Sequence, residues 1–404
     1  MRHYAIGTPR GCSTCTPTSV VMGKPRLLHI IPSINRGGIE TLVLGLIKLQ
    51  SRHYDVTVWY TGEVPGCPTL EEALKGSGAR AVHRIDPPSR RRLIKPHPPD
   101  SFRGIEQFDI VHNHIYPYFY LIGAIKRYCG ARLVSTLHRL YEKPHPATHP
   151  RLFWNEYRFG KRIDRLTVVS EAVKNTVTFP QRVEVIHNGV DLEAFPFTQR
   201  DPGPSGPFTF VCVANLVPLG KGYEVLLPAF DTVCAKHPHA RLVCVGYFDP
   251  TYRDALTRGR DFDHSVLFTG SIADTAPFLY SSHCFALFSQ REGLPISLLE
   301  AAASGLPIIG SSVGGIPEII RDETLGYLLQ GHECASASAL METVMLDYPA
   351  AVEKVERCRA LIEADYTLEK THRAYEALYR NTDEPISAGG RASCPPVCTK
   401  GPVS

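Results

Sequence analysis

Two glutamates flank a short turn in the second half of the chain. Glu292 and Glu300 are separated by seven residues, and the segment from Gly293 to Ser297 is predicted to form the turn into the helix that carries Glu300. Because proline suits the first turn of a helix, the apolar stretch that follows Leu294 is predicted to be helical. Free N–H groups and the positive dipole end at such a helix start favour a diphosphate. Glu300 would then accept hydrogen bonds from ribose hydroxyls and Glu292 from a sugar; an ordinary strand–helix junction with solvated acids is the alternative.

Two pairs of cysteines offer a metal-site hypothesis that we do not favour. Cys12 and Cys15 lie near one end of the chain, and Cys394 and Cys398 lie near the other. Four thiolates can hold zinc, but both segments are rich in Gly, Pro, Ser and Thr and are predicted to be mobile tails. Three further cysteines occur in apolar runs and are expected to be small buried residues: Cys212, Cys244 and Cys284.

The first half of the chain alternates apolar, strand-like runs with helical stretches. Residues 39–50 have helical spacing, and the predicted strands are 26–34, 55–62, 81–85, 109–114, 132–138, 165–170 and 183–190. Continuous Val/Ile/Leu runs joined by helices indicate a parallel sheet covered on both faces. The Pro/Gly/Ser-rich segment 198–207 is predicted to be a linker with nothing to bury.

The second half repeats this alternation at about the same size. A helix is predicted over 223–236, and the predicted strands are 208–216, 241–248, 266–270, 284–289, 306–312 and 326–330. Residues 349–379 are helical in pattern, with Pro349 in the first turn. The fold class is therefore α/β, with two doubly wound, Rossmann-like domains, and the crevice between their strand ends is the expected ligand site.

Composition and charge limit the classes of protein. The 404 residues are 43% hydrophobic and 21% charged, as in globular proteins, so disorder and a fibrous repeat are excluded. No apolar run reaches the ~18 residues that span a bilayer, and no secretory signal is evident, so we expect a cytoplasmic protein. The net charge is +4, with basic residues concentrated in 1–200 and acidic ones in 201–404. Two domains with different partners are therefore expected.

Several motifs, in their order along both halves, resemble those of the retaining GT-B glycosyltransferases of family 4. The similarity covers about Leu27 to Tyr379, and its motifs are EGLPISLLEA with the two glutamates, ASGLPII, VGGIPEII, HIIPSINRGGIE (29–40), DIVHNH (109–114), STLH (135–138), VVSE (168–171) and VIHNGVD (185–191). The resemblance implies a GT-B fold with a central cleft. The expected organisation is a tail (1–24), an acceptor-binding domain (25–200), a nucleotide-sugar-binding domain (201–348), helices that pack back on the first domain (349–382) and a second tail (383–404).

The glycine loop after the first strand has a counterpart in the family. Gly37 and Gly38 match the positions where the lack of side chains lets acceptor and donor phosphate approach the backbone. Glu40 follows in what we expect to be the same loop, and the resemblance implies that it helps to position the acceptor.

Two histidines end predicted strands of the first domain. His114 matches the family histidine near the reacting sugar, which implies a catalytic role, and His138 ends the next strand and is expected to reach the acceptor. His112 lies one alternation deeper in the sheet and is expected to be structural. A structural role is the alternative for each of the other two.

Lys221 matches the family lysine that meets the donor diphosphate, where it acts as a point charge. Many family members carry an arginine a few residues earlier, whereas this chain has Asn215 and Val217. Asn215 brings a hydrogen-bond donor but no charge, so we expect Arg36, in the facing loop, to help balance the second phosphate charge.

The resemblance also implies a reaction that needs no metal and no cofactor. Asp261, Phe262 and Asp263 form a D-x-D sequence, but they lie in a polar stretch before a strand, so we do not assign them a metal.

The implied function is transfer of a sugar, with retention at the anomeric carbon, to a glycan or lipid-linked acceptor. We favour a UDP-sugar over a GDP-sugar as the donor and cell-surface polysaccharide assembly as the setting. A nucleotide-sugar 2-epimerase of the same fold is one alternative, and a non-catalytic nucleotide-sugar-binding protein, suggested by Asn215, is another. Nucleic acid is not an expected partner, because no groove-reading or base-stacking motif accompanies the basic residues.

Two basic clusters suggest contact with anionic lipid at the inner face of the membrane. They are Arg90, Arg91, Arg92 and Lys95, and Arg158, Lys161, Arg162 and Arg165. For the first cluster, which lies among prolines, a solvated loop is the alternative.

Overall fold

The computed structural model describes residues 23–63, 69–86, 100–116, 119–142, 147–177, 183–203, 205–218, 220–260, 262 and 264–380. The two tail cysteine pairs, the cluster at Arg90–Lys95, and Asp261 and Asp263 lie outside these residues, so the hypotheses placed on them remain untested. The described chain forms two parallel sheets with helices between the strands.

The first sheet contains seven parallel strands in the order β3-β2-β1-β4-β5-β6-β7. They are β1 (Arg26–Ser33), β2 (Asp55–Gly62), β3 (Ala79–Arg84), β4 (Ile110–Asn113), β5 (Arg132–Leu137), β6 (Arg165–Val168) and β7 (Val183–Val185). The helices between them are α1 (Gly38–Gln50), α2 (Glu71–Gly76), α3 (Phe119–Tyr128), α4 (Pro150–Gly160) and α5 (Glu171–Lys174).

The second sheet contains six parallel strands in the order β10-β9-β8-β11-β12-β13. They are β8 (Thr209–Val213), β9 (Arg241–Val245), β10 (Val266–Gly270), β11 (Cys284–Leu287), β12 (Ile308–Ser311) and β13 (Tyr327–Leu329). The accompanying helices are α6 (Tyr223–Lys236), α7 (Pro250–Thr257), α8 (Ala276–Tyr280), α9 (Ile296–Ala303), α10 (Ile316–Ile319), α11 (Cys334–Leu346), α12 (Tyr348–Val352), α13 (Val355–Asp365) and α14 (Leu368–Arg380).

The strand order of both sheets confirms the predicted α/β class with two Rossmann-like sheets. Each of the thirteen predicted strands is present, although most are shorter than the apolar run that signalled them. In each sheet the order reverses beside the first strand, between β1 and β4 and between β8 and β11. Such switch points open a crevice at the carboxyl ends of the strands, where ligands bind.

The first sheet buries apolar side chains on both faces. Along β1, Leu28 and Ile30 contribute to one core cluster, and Leu27 and Ile31 contribute to the other. This alternation follows from the period of two in a strand. His29, between them, therefore points to the same face as Leu27 and Ile31, and this face is covered by α1 and α14.

The helix α14 follows the second sheet in the chain but packs against the first sheet. Tyr375 and Tyr379 are fully buried there. Leu368 contacts α1 at Gly45, where an added Cβ would lie 2.8 Å from Leu368 Cδ2. Arg132 of β5 donates from Nη1 to the carbonyl oxygen of Tyr379, 2.9 Å away, which fixes the end of the helix on the sheet.

The structure corrects one expectation about the linker and bears out another about cysteines. The prediction that 198–207 buries nothing is wrong at Arg200, which is buried and donates to the carbonyls of Gly305, Tyr280, Ser282, Leu279 and Ser304. A buried guanidinium is tolerated because these backbone oxygens satisfy its donors. Cys212, Cys244 and Cys284 are buried free thiols, as predicted.

Within the described part of the chain, no helix combines the length and the apolar character of a bilayer span.

Candidate functional site

The residues singled out from the sequence gather at the carboxyl ends of the switch-point strands. Gly37 follows β1 and His114 follows β4 in the first sheet, while Lys221 follows β8 and Glu292 follows β11 in the second. His138 directly follows β5, the next strand of the first sheet. The two switch points therefore supply side chains to one crevice.

Lys221 and Glu292 form an ion pair across the second switch point. Lys221 Nζ lies 2.8 Å from Glu292 Oε1, and the hydroxyl of Ser289 donates to the same oxygen over 2.8 Å. The glutamate side chain is 9% exposed and that of the lysine 33%, so the cation faces the crevice while the anion is held below it. Ser289 was not anticipated from the sequence; it ends the apolar run in which β11 lies.

The turn after Glu292 approaches the first domain closely. A Cβ on Gly293 would lie 2.1 Å from the carbonyl oxygen of His138, so only glycine fits there. Ser170 Oγ donates to the Gly293 carbonyl over 3.0 Å, and Asn188 Nδ2 donates to the Leu294 carbonyl over 2.7 Å. This turn of the second domain is thus held by contacts from the first domain.

The helix α9 begins at Ile296, within the segment 293–297 that was predicted to lead into it. Pro295 precedes it with φ −72° and ψ 119°, so proline caps the helix rather than entering its first turn. Glu300, in the second turn, is buried, and burial raises its pKa from 4.5 to about 8, although attraction to Arg36 opposes the shift. No hydrogen bond to its carboxylate is found among the described residues. A buried carboxylate of this kind is suited to accept from ligand hydroxyls.

Arg36 faces Glu300 from the glycine loop. Its Nε is buried and has no hydrogen-bond partner within the described chain. A guanidinium with an unsatisfied donor beside a buried carboxylate retains the capacity to bind an anion.

The glycine loop differs in detail from its expectation. Glu40 is not in the loop but in the first turn of α1, where it is buried and its pKa is raised by burial to about 7. A Cβ at Gly37 would lie 2.6 Å from Glu40 Oε2, so the glycine makes room for this carboxylate. Gly38 faces α9, with its Cβ position 4.0 Å from Ile296 Cδ1. The loop and the donor-side turn are therefore neighbours.

Asn215 is engaged by the protein itself. Its Oδ1 accepts a hydrogen bond from the Tyr247 backbone N–H at 3.1 Å, which joins the turn after β8 to the turn after β9. The side chain therefore has a structural contact at the position where the family often has arginine.

Four histidines form a cluster on the covered face of the first sheet. His29 Nδ1 lies 3.0 Å from His114 Nε2, and His114 Nδ1 lies 3.0 Å from His138 Nε2. His112 takes no part in these histidine–histidine hydrogen bonds. Its ring nitrogens contact Tyr379 Oη at 2.6 Å and Thr136 Oγ1 at 2.7 Å. Of the four, His138 alone is not fully buried.

The histidine cluster is neutral at physiological pH. Burial lowers the pKa of His29 to about 4 and that of His138 to about 3, and burial lowers those of His112 and His114 well below the ordinary value. Both ring nitrogens of His114 are occupied by other histidines, so His138 is the member that faces the crevice.

His29 and Gln50 were not predicted as site residues; Gln50 Oε1 lies 2.8 Å from His29 Nε2. The available signal was a histidine inside an apolar strand. The β1–β4 register, which pairs His29 with His112, becomes evident only once the sheet order is known.

His29, His112 and His114 lie close enough together to share a metal ion. All six of their ring nitrogens, however, have hydrogen-bond partners in the protein. Because a ligating nitrogen must give up its hydrogen bond, the arrangement is better explained as a hydrogen-bonded cluster than as a metal centre.

Hydrogen bonds between a glutamate side chain of the second domain and the backbone of the first join the two domains beside the crevice. Glu318, at α10 of the second domain, accepts from the backbone N–H groups of Glu171 and Ala172 at the start of α5, at 3.2 and 2.9 Å. Burial would raise its pKa, but donors from His187 and these two amides outweigh that effect and lower it. Glu318 therefore works as an anionic cap supplied by one domain to a helix of the other.

The comparisons with known proteins agree with this architecture. A model of the glycosyltransferase family 4 matches residues 36–194, and one of the glycosyl transferases group 1 matches residues 207–345. The D-inositol 3-phosphate glycosyltransferase of Arthrobacter sp. (strain FB24) is 24% identical over 397 residues, which cover 85% of this chain and 91% of that protein. The N-acetyl-alpha-D-glucosaminyl L-malate synthase of Bacillus anthracis is 27% identical over 289 residues, with 68% of this chain and 75% of that protein covered.

A solved structure shows the same fold. The crystal structure of Anabaena Alr3699/HepE in complex with UDP and glucose has a TM-score of 0.73 at 16% identity, and the match covers 88% of this chain and all of that one. The paired Rossmann-like sheets with a shared crevice are those of the GT-B transferases. The two family models match different domains, and together they show a glycosyltransferase of the family 4 type.

Proposed function

We propose that this protein transfers a sugar from a UDP-sugar to a glycan or lipid-linked acceptor with retention at the anomeric carbon. The observation that carries the proposal is the Lys221–Glu292 pair, which lies at one switch point opposite the glycine loop of the other. The donor site comprises the turn at Gly293, Leu294 and Pro295, with Glu300 on the ribose and Arg36 beside it.

In the proposed reaction, Lys221 meets the diphosphate and stabilises the charge that develops as it departs. Asn215 and the glycine loop, Gly37 and Gly38, line the donor side. Glu292, released from Lys221 by the diphosphate, accepts from sugar hydroxyls. The leaving diphosphate oxygen takes the proton of the acceptor hydroxyl, which attacks from the same face. The lysine and the helix start supply the positive charge, and no metal is required.

We propose that Glu40, His114 and His138 form the acceptor side of the site. His138 touches the reacting sugars, and His114 acts through His138, because its own nitrogens are occupied. Glu40 lies under the glycine loop and shapes the acceptor-side wall.

UDP as the favoured donor nucleotide is supported by the Anabaena structure, which is a complex with UDP and glucose. The test is a transfer assay with UDP- and GDP-sugars, with and without a chelator, and with the anomeric configuration of the product read by NMR. Turnover of UDP-sugars that is insensitive to chelator and retains configuration is expected. An inverted product or a requirement for a divalent metal would contradict the mechanism. Binding without turnover would favour a non-catalytic protein, and isomerised donor an epimerase.

We also propose that helix α4 rests on an anionic membrane surface. Trp154 is 61% exposed and Tyr157 is exposed next to it, while Lys161 Nζ lies 3.7 Å from the Tyr157 ring centroid and Arg158 is exposed on the same helix. Aromatic rings beside cations suit the interface of anionic lipids.

Sedimentation with phosphatidylglycerol-containing vesicles tests this surface. Trp154→Ala is expected to weaken binding several-fold at low salt. The matched control is Leu346→Ala, which removes an equally exposed apolar side chain, 70% exposed, from α11 of the second domain. Equal loss in both variants, or binding to neutral vesicles alone, would contradict a docking role for α4.

A further inference from the structure

A continuous hydrogen-bonded chain runs from Gln50 to the crevice. Gln50 Oε1 lies 2.8 Å from His29 Nε2, and the two following links, His29 to His114 and His114 to His138, are 3.0 Å each. Gln50 and the first two histidines are buried, and His138 lies at the partly exposed end. His138 Nδ1 has no hydrogen-bond partner among the described residues, so the chain ends there in an unused nitrogen.

The chemistry of neutral imidazole determines which nitrogen of each ring donates and which accepts along this hydrogen-bonded chain. A neutral ring has one N–H donor and one acceptor nitrogen. Since the oxygen of Gln50 can only accept, His29 carries its proton on Nε2 and accepts at Nδ1. His114 must then donate from Nε2 and accept at Nδ1, and His138 must donate from Nε2. The unprotonated nitrogen of His138 is therefore Nδ1, at the crevice.

We propose that Gln50 is a positioning residue that sets the tautomers of His29, His114 and His138, so that His138 presents a lone pair on Nδ1 to a sugar hydroxyl. The inference rests on the proposed function, because it names what His138 offers to the sugar. His29 and Gln50, which lie away from the crevice, would then help the site to select a ligand group that donates a hydrogen bond over one that can only accept.

In the structure the Gln50 amide places Nε2 3.4 Å from Tyr379 Oη, to which it donates. With the amide in this orientation, the Tyr379 hydroxyl is free to donate to His112 Nδ1, 2.6 Å away. The opposite amide orientation would reverse every donor in the chain, and His138 would present an N–H instead. The two amide orientations therefore predict opposite protonation states for Nδ1 of His138.

This assignment of donors and acceptors requires that all three histidine rings are neutral. Burial keeps the pKa of His29 near 4 and that of His138 near 3, and lowers that of His114 well below its ordinary value. No ring in the chain carries a second proton at pH 7, so each can have only one donor nitrogen.

The test is nitrogen NMR of the full chain labelled with ¹⁵N-histidine, which separates protonated from unprotonated ring nitrogens. The His138 signals are assigned by their loss in His138→Gln. We expect Nδ1 of His138 to be unprotonated at pH 7 without ligand. A protonated Nδ1 would overturn the proposal, as would a stoichiometric bound metal with perturbed His29 signals, because ligating nitrogens cannot keep this chain.

A pair of variants tests the part of Gln50. Gln50→Met keeps the side-chain volume but removes the strong acceptor, and we expect His138 to become a mixture of tautomers, with kcat/KM roughly tenfold lower. The control is Thr167→Val, which breaks a buried hydrogen bond to Thr136 on the His112 branch and should leave the His138 signals unchanged. If Gln50→Met folds and leaves the His138 signals unchanged, Gln50 does not set the tautomer.

The spectroscopic readout needs no turnover. A His138 tautomer as expected, combined with no transfer from any nucleotide sugar, would refute the proposed function and leave the tautomer assignment standing. Transfer combined with a protonated Nδ1 of His138 would support the proposed function and refute the tautomer assignment.

Discussion

Lys221 Nζ and Glu292 Oε1 lie 2.8 Å apart although the two residues are 71 positions apart in the chain. Each follows a strand that borders the switch point of the second sheet, and their contact places a cation above a largely buried anion. In the proposed function, an incoming diphosphate replaces this anion as the partner of the lysine, and the ion pair holds the ammonium in place before the donor arrives.

Removing the charge of Lys221 tests this arrangement. Lys221→Ala should lower kcat about 10²-fold or more, because a cation that meets developing charge stabilises the transition state. Steady-state kinetics with a UDP-sugar measure the loss. The matched control is Lys236→Ala, which removes another ion-paired lysine, bonded to Glu342 on the outside of the second domain, and should retain activity. Comparable losses in the two variants would point to general destabilisation.

Glu300 should make the stability of the protein depend on pH. Its folded pKa of about 8 exceeds the ordinary 4.5, so between these values the folded state binds more protons than the unfolded state. The free energy of unfolding therefore falls as pH rises from about 5 to 8, by on the order of 4 kcal/mol at most. Urea unfolding at both pH values measures it, and Glu300→Gln should flatten the dependence. Glu40, with a pKa of about 7, contributes in the same direction and will remain in that variant.

Nucleotide binding should release a proton from Glu300. At pH 7 the ligand-free carboxyl, with a pKa of about 8, is mostly protonated. Ribose hydroxyls that donate to the carboxylate lower its pKa, and close to one proton should leave. Calorimetry of UDP binding in buffers of different ionisation enthalpy measures this number. Glu300→Gln should bind without proton release; release that persists in the variant would place the titrating group elsewhere.

Breaking the Glu318 cap should loosen domain closure. Glu318→Ala removes the acceptor for the amides of Glu171 and Ala172, and we expect a larger radius of gyration in solution scattering and a raised KM for the donor. The stability cost should be about 1 kcal/mol. Glu342→Ala, which removes a glutamate paired within the second domain, is the control. An unchanged radius of gyration would show that other contacts suffice to hold the domains together.

The strands and their order of appearance could be predicted because continuous apolar runs report burial on both faces of a parallel sheet. The position of Glu40 could not, because the end of a glycine loop and the start of a helix have similar local composition. Arg200 was misjudged for a related reason: its segment looks solvated, and only the second domain supplies the five carbonyl oxygens that bury it.

The candidate site was predictable in part. Glu292, Glu300 and Lys221 each follow a recognisable strand, so their convergence follows from topology. The hydrogen-bonded chain from Gln50 to His138 has no local signature, since Gln50 ends a helix and the three histidines lie in, or directly after, three different strands. Contacts of that kind depend on register, which one sequence without its sheet order does not reveal.

The attachment of α14 to the first sheet has a consequence for biosynthesis. The strands of that sheet have all left the ribosome once residue 185 has emerged, yet one face is only partly covered, by α1, until the tyrosines of α14 are made. Tyr379, which contacts both Gln50 and His112, is added almost two hundred residues later. Part of an apolar face of the nascent first domain therefore stays uncovered while the whole second domain is translated. Ribosome-bound chains that stop short of α14 are consequently the state of this protein most in need of a chaperone.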